Sequence, residues 1–177
     1  MNIVITINKK FVKKANVLLN SIQYSNSEEN FNIYVLHKEL DEDDEKVIIN
    51  NIDLRRFQIN FIKISENEIC QFPVYEKRYP PEIYFRIFAS KYLPQNLKRI
   101  LYLDADTLVI NSLKELYETE FDGNYYIATT HIKKVLHKLN EIRLNIKEDE
   151  PYINTGVLLM NLEALRKINI EKEVKEF

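Results

Sequence analysis

The order in which strand-like and helix-like segments alternate along the first third of the chain constrains its fold more than any other feature. Apolar and β-branched residues predict strands at 2–7, 31–37 and 58–64. Apolar residues at helical spacing predict a helix between the first two strands, at positions Phe11, Ala15, Leu18, Leu19 and Ile22. A shorter helix carrying Val47 and Ile48 precedes the third strand. The order β-α-β-α-β favours a parallel sheet covered by helices.

The middle of the chain continues this alternation after an irregular stretch at 65–79. Pro80 and Pro81 suit the first turn of a helix that continues through Tyr92, because proline is tolerated at the start of a helix. The apolar run that ends at Leu103 then predicts a buried strand.

The last part of the chain contains further short elements. Ser112 and Glu115 have the spacing of a capping box, which predicts a helix at 113–117. Two strands and two helices complete the pattern, the strands at 125–130 and 153–162 and the helices at 131–142 and 163–177. Because no repeat or linker divides the chain, we predict a single domain over 1–177.

Composition excludes several classes of protein. A net charge of −2 gives no support for nucleic acid as a partner. No apolar run approaches the roughly 20 residues of a membrane span, and the N-terminal segment does not resemble a secretory signal, so we expect a cytoplasmic protein. Cys70 is the only cysteine, which excludes an internal disulfide. With only Gly123 and Gly156, the chain contains neither a Walker loop nor a G-x-G-x-x-G turn.

Two carboxylates, Asp104 and Asp106, follow the apolar run 100–103 directly. Residues two apart in an extended chain point to the same side, so the two acids repel each other unless a positive partner lies between them. A divalent cation such as Mg²⁺ or Mn²⁺ would satisfy both, and it could in turn hold a diphosphate. The alternative is a pair of acids that cap the turn after the strand.

The same spacing occurs earlier in the chain, at Asp41-Glu42-Asp43. This pair lies in a run of charged residues where a helix begins, and acids are favourable at a helix N-terminus. We therefore interpret it as a solvated surface.

Two other features leave a functional and a structural interpretation open. Arg86 lies among apolar residues and needs a fixed partner, either a phosphate or sugar hydroxyl or a carboxylate of the core. The tripeptide Asn154-Thr155-Gly156 precedes an apolar strand, where the glycine allows close approach of a ligand or supplies a bulge.

Four segments together resemble glycosyltransferase family 8, the retaining transferases that include bacterial lipopolysaccharide galactosyl- and glucosyltransferases and glycogenin. They are MNIVITIN, the Y-x-R of Tyr84 and Arg86, LYLDADTLV and YINTGVLLMNL, and their order and separations agree with the family over essentially the whole chain. The resemblance implies an α/β nucleotide-diphospho-sugar transferase fold of the GT-A type, with a mostly parallel central sheet and helices on both faces.

The resemblance also implies a function and a set of site residues. It implies transfer of a hexose from a UDP-sugar to a hydroxyl of a glycan or lipid-linked acceptor, for example lipopolysaccharide, with retention of configuration. Asp104 and Asp106 would bind Mn²⁺ or Mg²⁺, which would stabilise the diphosphate leaving group. The residues implied to contact the donor are Thr6, Asn8, Tyr84, Arg86, Asp104, Ala105, Asn154, Thr155 and Gly156. No residue is nominated as a catalytic nucleophile.

The chain departs from the family pattern in two places. Lys9 and Lys10 follow Asn8, where the family commonly carries acidic and amide residues, so the identity of the nucleotide is open. The chain also lacks the H-x-x-G-x-x-K-P-W segment that supplies a third metal ligand in the family. We therefore expect an incomplete C-terminal part, weak or absent activity of this chain alone, and any peripheral membrane contact to come from the missing region.

Two other functions compete with this interpretation. LDADTL also fits the D-x-D-x-T signature of haloacid-dehalogenase-like phosphatases, in which the first aspartate is a nucleophile, although that motif normally lies on the first strand of its domain. A module that binds a nucleotide without catalysis is the second alternative.

Overall fold

The computed structural model describes residues 1–65, 83–129, 153–170 and 172. Within them the chain forms six strands, namely β1 (Asn2–Ile7), β2 (Phe31–His37), β3 (Phe57–Lys63), β4 (Arg99–Leu103), β5 (Tyr126–Ala128) and β6 (Val157–Asn161). The helical elements are a 3-10 turn (Lys9–Phe11) and the helices α1 (Val12–Ser25), α2 (Glu42–Ile49), α3 (Ile83–Ile87), α4 (Ala89–Tyr92), α5 (Lys114–Glu118) and α6 (Leu162–Leu165).

The six strands form one sheet in the order β3-β2-β1-β4-β6-β5. Strands β1 to β4 are parallel, whereas β6 runs antiparallel to both of its neighbours. The register pairs Leu103, the last residue of β4, with Val157, the first residue of β6. The beginning of β6 therefore lies beside the ends of the parallel strands, at the edge where ligands bind in sheets of this kind.

Helices cover both faces of the sheet, and the alternation of side chains along the strands divides the core into two layers. Ile3, Ile5 and Ile7 of β1 pack on the face that carries α1, while Val4 faces the opposite layer. That second layer contains Phe85 and other buried residues of α3, α4 and α6. Each fully buried aliphatic side chain contributes roughly 1.5–3 kcal/mol, so the two layers hold the sheet from both sides.

The predicted helix up to Tyr92 is interrupted. Residues 83–92 form the two short helices α3 and α4, with Phe88 between them, and Pro80 and Pro81 lie outside the described residues. The backbone still turns continuously, because the Phe88 amide donates to the Tyr84 carbonyl at 3.0 Å and the Leu93 amide donates to the Ala89 carbonyl at 3.1 Å.

The predicted capping box at Ser112 and Glu115 is wrong. Helix α5 begins at Lys114, and its N-cap residue Leu113 makes no side-chain capping bond. The Ser112 hydroxyl accepts a 3.3 Å hydrogen bond from the Lys114 amide, so it stabilises the turn before the helix. Helix α2 instead carries a complete capping box between Asp41 and Asp44.

The strand boundaries differ from the predicted ones by a few residues. Strand β3 begins and ends one residue earlier, and β5 covers 126–128 within the predicted 125–130, of which 130 is not described. Residues 153–156 form a turn before β6 because the Asn154 side chain accepts a 2.9 Å hydrogen bond from the Gly156 amide. The predicted helix at 131–142 and most of the one at 163–177 lie outside the described residues, and the single-domain prediction stays a prediction.

Candidate functional site

A cavity of about 320 Å³ opens where β1 and β4 end. Its lining combines polar, charged and aromatic side chains, namely Thr6, Ile7, Asn8, Phe11, Arg86, Tyr102, Asp104, Ala105, Asp106 and Thr155. Seven of the residues predicted to form a site lie in this lining: Thr6, Asn8, Arg86, Asp104, Ala105, Asp106 and Thr155. The chain thus brings together segments from four separate parts of the sequence.

Three predicted site residues do not line the cavity. Tyr84 lies on α3, one turn before Phe88, and its backbone carbonyl accepts the Phe88 amide. Asn154 and Gly156 lie behind the lining, where they shape the turn that enters β6. Of the three, Gly156 contacts Asp104 directly, because its carbonyl accepts the Asp104 amide at 2.8 Å.

Asp104 is held firmly through its backbone. Its amide donates to the Gly156 carbonyl at 2.8 Å, which extends the pairing of β4 and β6 by one bond. Its carbonyl accepts the hydroxyl of Thr107 at 2.8 Å and the amide of Thr107 at 3.0 Å. These bonds leave the torsions of the carboxylate as the main freedom at this position.

The carboxylate of Asp104 has two donors on the same oxygen. The Tyr102 hydroxyl donates to Oδ1 at 2.6 Å, a short bond typical of a charged acceptor. The Arg86 Nη1 atom lies 3.5 Å from the same oxygen. The side chain of Asp104 is 39% exposed and faces the cavity.

Gly156 is needed for space beside this carboxylate. A Cβ atom on Gly156 would lie 2.8 Å from Oδ2 of Asp104 and 3.3 Å from Oδ1 of Asn154. The first distance is below any contact that a real Cβ makes, so a side chain here displaces Asp104. From the sequence, two reasons for this glycine remained open, close approach of a ligand or a bulge. In the structure, the group that approaches Gly156 closely is the Asp104 carboxylate.

Arg86 is fixed by three groups at once. Its Nη1 atom donates to the Thr155 carbonyl at 3.1 Å as well as approaching Asp104, and its guanidinium carbon lies 5.2 Å from the centre of the Tyr102 ring. Its side chain is only 15% exposed. The sequence left either a phosphate or sugar hydroxyl or a carboxylate as the partner of Arg86, and in the structure a carboxylate, that of Asp104, lies beside it. Arg86 also lines the cavity.

Asp106 is the more open of the two carboxylates. Its side chain is 53% exposed, and Lys14 of α1 approaches it with an Nζ–Oδ2 distance of 3.6 Å. Lys14 also lies over the Phe11 ring at 4.4 Å from its centre. An exposed pair of this kind contributes little energy, so it leaves Asp106 available to a stronger cationic partner.

The two lysines that follow β1 do not line the cavity. Lys9 bridges Asp41 at 2.6 Å and Asp44 at 3.4 Å. Asn8 accepts the Lys10 amide at 3.0 Å and so begins the 3-10 turn. Lys9 is one of the two lysines that depart from the family pattern, and its side chain joins the end of β1 to the start of α2.

Sequence reasoning missed three residues of the lining, Ile7, Phe11 and Tyr102. Tyr102 is 3% exposed, and its burial raises the pKa of the phenol, which the charge of Asp104 raises further. The hydroxyl therefore stays protonated. A signal was present, because Tyr102 precedes Asp104 by two and residues two apart on a strand share a face.

The two carboxylates suit a hard divalent cation. Among the described residues, no group of three or more His, Cys, Asp and Glu side chains could hold a metal ion. Mg²⁺ and ions like it are nevertheless often bound through one or two carboxylates together with substrate phosphates and water. Asp104 and Asp106 beside one cavity match that donor set.

None of the helices in the described part of the chain is long and apolar enough to cross a membrane.

The fold places the protein in the class of glycosyltransferases that have the GT-A type of fold. The structure superposes on a crystal structure of the galactosyltransferase LgtC in complex with donor and acceptor sugar analogs, with a TM-score of 0.87 and 25% sequence identity. The match covers 99% of this chain and 64% of that one. A structure of the glycosyltransferase GlyE of Streptococcus pneumoniae shares the fold at a TM-score of 0.68 and 16% identity.

The chain belongs to glycosyl transferase family 8, whose family model matches residues 2–177. It is 27% identical to a putative glycosyltransferase of Haemophilus influenzae over 96% of its own length and 51% of that protein. It is 25% identical to a lipopolysaccharide 1,2-glucosyltransferase of Escherichia coli, over 91% of this chain and 47% of that protein. The chain thus spans about half the length of these curated relatives. The family and the fold expected from the sequence are confirmed.

Proposed function

We propose that this chain carries the donor site of a retaining glycosyltransferase, which moves a hexose from a UDP-sugar to an acceptor hydroxyl with a divalent cation as cofactor. The observation that carries the proposal is the placement of Asp104, Asp106 and Arg86 around one cavity at the ends of β1 and β4. Membership of glycosyl transferase family 8 supports the reaction class.

The charges around the cavity suit a diphosphate leaving group. Breaking the bond between sugar and phosphate places negative charge on the nucleotide, and a fixed positive charge nearby stabilises that charge. Arg86 supplies such a charge, because its guanidinium is held by the Thr155 carbonyl and the Tyr102 ring. Asp104 and Asp106 would hold Mn²⁺ or Mg²⁺, which when bound adds Lewis-acid stabilisation of the same charge.

Other residues of the lining suit a nucleoside. Thr6 and Asn8 offer polar atoms at the end of β1, and the Phe11 ring offers an aromatic surface for a base. Ala105 exposes little side chain and permits close approach of the ribose to the backbone between the two carboxylates. We also include a contact between Tyr84 and the donor in this proposal, as the family resemblance implies, although Tyr84 does not line the cavity.

The proposed acceptor follows from the relatives of this chain. The Escherichia coli relative is by name a lipopolysaccharide glucosyltransferase, which suggests a glycan or lipid-linked acceptor for this chain as well. In the reaction, the acceptor hydroxyl attacks the sugar on the face that the phosphate leaves, and the anomeric configuration is retained. A cytoplasmic location is part of the same proposal.

Calorimetry with UDP tests the donor site directly. We expect the chain to bind UDP in the presence of Mn²⁺ and to bind it much more weakly with EDTA. Asp104→Asn is expected to remove the effect of Mn²⁺, while Asp43→Asn, the same change in the other acidic pair, is expected to preserve it. Equal UDP binding with and without Mn²⁺ would contradict the metal-dependent donor site.

Turnover separates the proposed enzyme from the alternatives. Release of UDP from UDP-glucose or UDP-galactose, measured with and without a glycan acceptor, checks the activity. Binding of UDP without any turnover would favour a nucleotide-binding module without catalysis.

The phosphatase alternative is not favoured, because the motif follows the fourth strand and not the first, and the chain belongs to a transferase family. Hydrolysis of p-nitrophenyl phosphate that disappears in Asp104→Asn would revive it.

A further inference from the structure

A series of hydrogen bonds at the cavity connects Thr6 of β1, through Tyr102, to the carboxylate of Asp104. The Thr6 hydroxyl lies 3.2 Å from the Tyr102 hydroxyl oxygen, which in turn donates to Oδ1 of Asp104 at 2.6 Å. An ionised carboxylate only accepts, and a tyrosine has a single hydroxyl proton. Since Tyr102 donates that proton to Asp104, Thr6 must donate its own proton to Tyr102. Donation in this series of hydrogen bonds therefore runs in one direction, from Thr6 to Tyr102 and from Tyr102 to Asp104.

We propose that Tyr102 is a positioning residue of the donor site: its hydroxyl, supported by Thr6, orients the Asp104 carboxylate that would hold the cation. This inference rests on the proposed function. It assigns to Tyr102 a task that is carried out through Asp104.

The surroundings of Asp104 explain why one hydroxyl is enough to orient it. The backbone on both sides is already fixed by Gly156 and Thr107, so only the side-chain torsions remain. Tyr102 and Arg86 both approach Oδ1, whereas Oδ2 lies toward the Cα of Gly156. A rotation of the carboxylate that broke the bond to Tyr102 would also move Oδ2 relative to Gly156. The carboxylate is thus held between a donor on one side and a glycine on the other.

The ring and the hydroxyl of Tyr102 have separate tasks. The ring is buried in the second core layer and lies beneath the Arg86 guanidinium, 5.2 Å from its central carbon. Tyr102→Phe keeps this ring and removes only the oxygen, so the core and the cation–π contact are retained. Any effect of this variant on the site therefore reports on the hydroxyl.

Tyr117 provides a matched control for this substitution. Its hydroxyl accepts from the Asn2 backbone amide at 3.2 Å and from the Asn2 side chain at 3.1 Å, so it also joins two elements, α5 and β1. It is not among the residues that line the cavity. Tyr117→Phe removes the same group from the structure at a position outside the site.

The experiment measures UDP affinity by calorimetry with Mn²⁺ and with EDTA for wild type and four variants. We expect Tyr102→Phe to weaken UDP binding about 10-fold in Mn²⁺ and by less than about two-fold in EDTA, because a hydrogen bond to a charged group is lost at the metal ligand. Thr6→Val should weaken the Mn²⁺-dependent binding in the same direction but less, and Thr6→Ser should bind closer to wild type than Thr6→Val. Tyr117→Phe should lower the Tm and preserve both affinities.

Two results would overturn the inference. One is a Tyr102→Phe variant that binds UDP in Mn²⁺ as tightly as wild type. The other is an equal loss in both solutions with a lowered Tm, because that pattern would mean that the hydroxyl only stabilises the fold.

A wild-type chain that binds no UDP would contradict the proposed function, and crystal structures of the ligand-free proteins would then decide the positioning role separately. We expect the Asp104 side chain to leave its wild-type rotamer in Tyr102→Phe and to keep it in Tyr117→Phe. An unmoved Asp104 in Tyr102→Phe would overturn the inference.

Discussion

The chain contains two pairs of aspartates at the same spacing, Asp41 with Asp43 and Asp104 with Asp106, and the structure uses them in different ways. The first pair lies at the start of α2 and faces solvent. The second pair follows a buried strand and lines a cavity. The spacing is identical, so the difference must come from what precedes and follows each pair.

The first pair is occupied by its own helix. The Asp41 carboxylate accepts the backbone amides of Asp43 and Asp44, both at 3.1 Å, and it also contacts Lys9. The side chain of Asp43 is 90% exposed and contacts Lys46, three residues further along the helix. Backbone amides of α2 and two lysines satisfy these carboxylates, so they have no need of a further cation.

The second pair is not part of a helix, and its side-chain partners lie on three different elements, α1, α3 and β4. No helix begins directly after Asp104, so its carboxylate has no row of free amides to cap. Its side chain instead contacts Arg86 from α3 and Tyr102 from the same face of β4. The comparison teaches that a D-x-D spacing becomes a candidate cation site only where the local backbone leaves the carboxylates unoccupied.

The largest expected effect separates the two pairs directly. Asp104→Asn should lower Mn²⁺-dependent UDP affinity at least about 100-fold, because it removes a charged ligand of the proposed cation. The corresponding change in the first pair, Asp43→Asn, should leave the affinity unchanged. Calorimetry in Mn²⁺ measures both, and similar affinities for the two variants would remove the distinction between the pairs.

The next effect tests the space beside the second pair. Gly156→Ala places a Cβ atom where Oδ2 of Asp104 would be 2.8 Å away, so the carboxylate must move. We expect UDP affinity in Mn²⁺ to fall about 10-fold, comparable to the loss of a group that orients a metal ligand.

Gly123→Ala is the control for this substitution. Gly123 has a φ of +85° and nothing within 4 Å of its Cβ position. Alanine there strains the backbone without a clash, so the Tm should fall while UDP affinity is retained. Loss of affinity in Gly123→Ala to the same extent would mean that Gly156→Ala acts through stability alone.

A smaller effect should appear in the first pair, on stability instead of binding. Asp41→Ala removes the N-cap of α2 and the contact with Lys9, which should lower the Tm by a few degrees. UDP affinity should remain that of wild type, because the described contacts of Asp41 lie outside the cavity. Thermal unfolding followed by circular dichroism measures the Tm, and Asp43→Ala should change it less.

The smallest effect is a pH dependence of the same pair. Hydrogen bonding by Lys9 lowers the pKa of Asp41 to about 2 from its ordinary value of 3.8. A lowered pKa in the folded state stabilises the protein above pH 3.8, and this contribution is lost as the pH falls toward 2. The difference in Tm between wild type and Asp41→Ala should therefore shrink over that range. A difference that stays constant from pH 5 to pH 2 would contradict the role given to Asp41.

Much of the fold could be predicted because its signals are local. Strand β1 and strand β2 occur where alternating and apolar residues place them, and α1 buries the predicted Ala15, Leu18, Leu19 and Ile22. The capping box at Ser112 failed, because the same residue types at that spacing also form a simple turn. A short polar pattern has several local solutions, and packing of the neighbouring residues selects among them.

The site was predicted in part. Asp104, Asp106 and Arg86 stood out because charges in apolar surroundings need partners, and the structure places all three at one cavity. Tyr102 did not stand out, because a tyrosine in a buried strand is ordinary until its hydroxyl is seen to face a carboxylate. Gly156 was noticed, but the atom that requires the glycine could not be named from the sequence.

By itself the sequence determined the strands, the helices between them, the family and the two carboxylates at the end of β4. Only the tertiary structure decided that β6 runs antiparallel beside β4, which brings Gly156 to Asp104. It also decided that the Tyr102 hydroxyl, supported by Thr6, fixes that carboxylate. The reason is physical: periodicity reports on neighbours a few residues apart, whereas strand pairing joins residues about fifty apart, and their contacts depend on register.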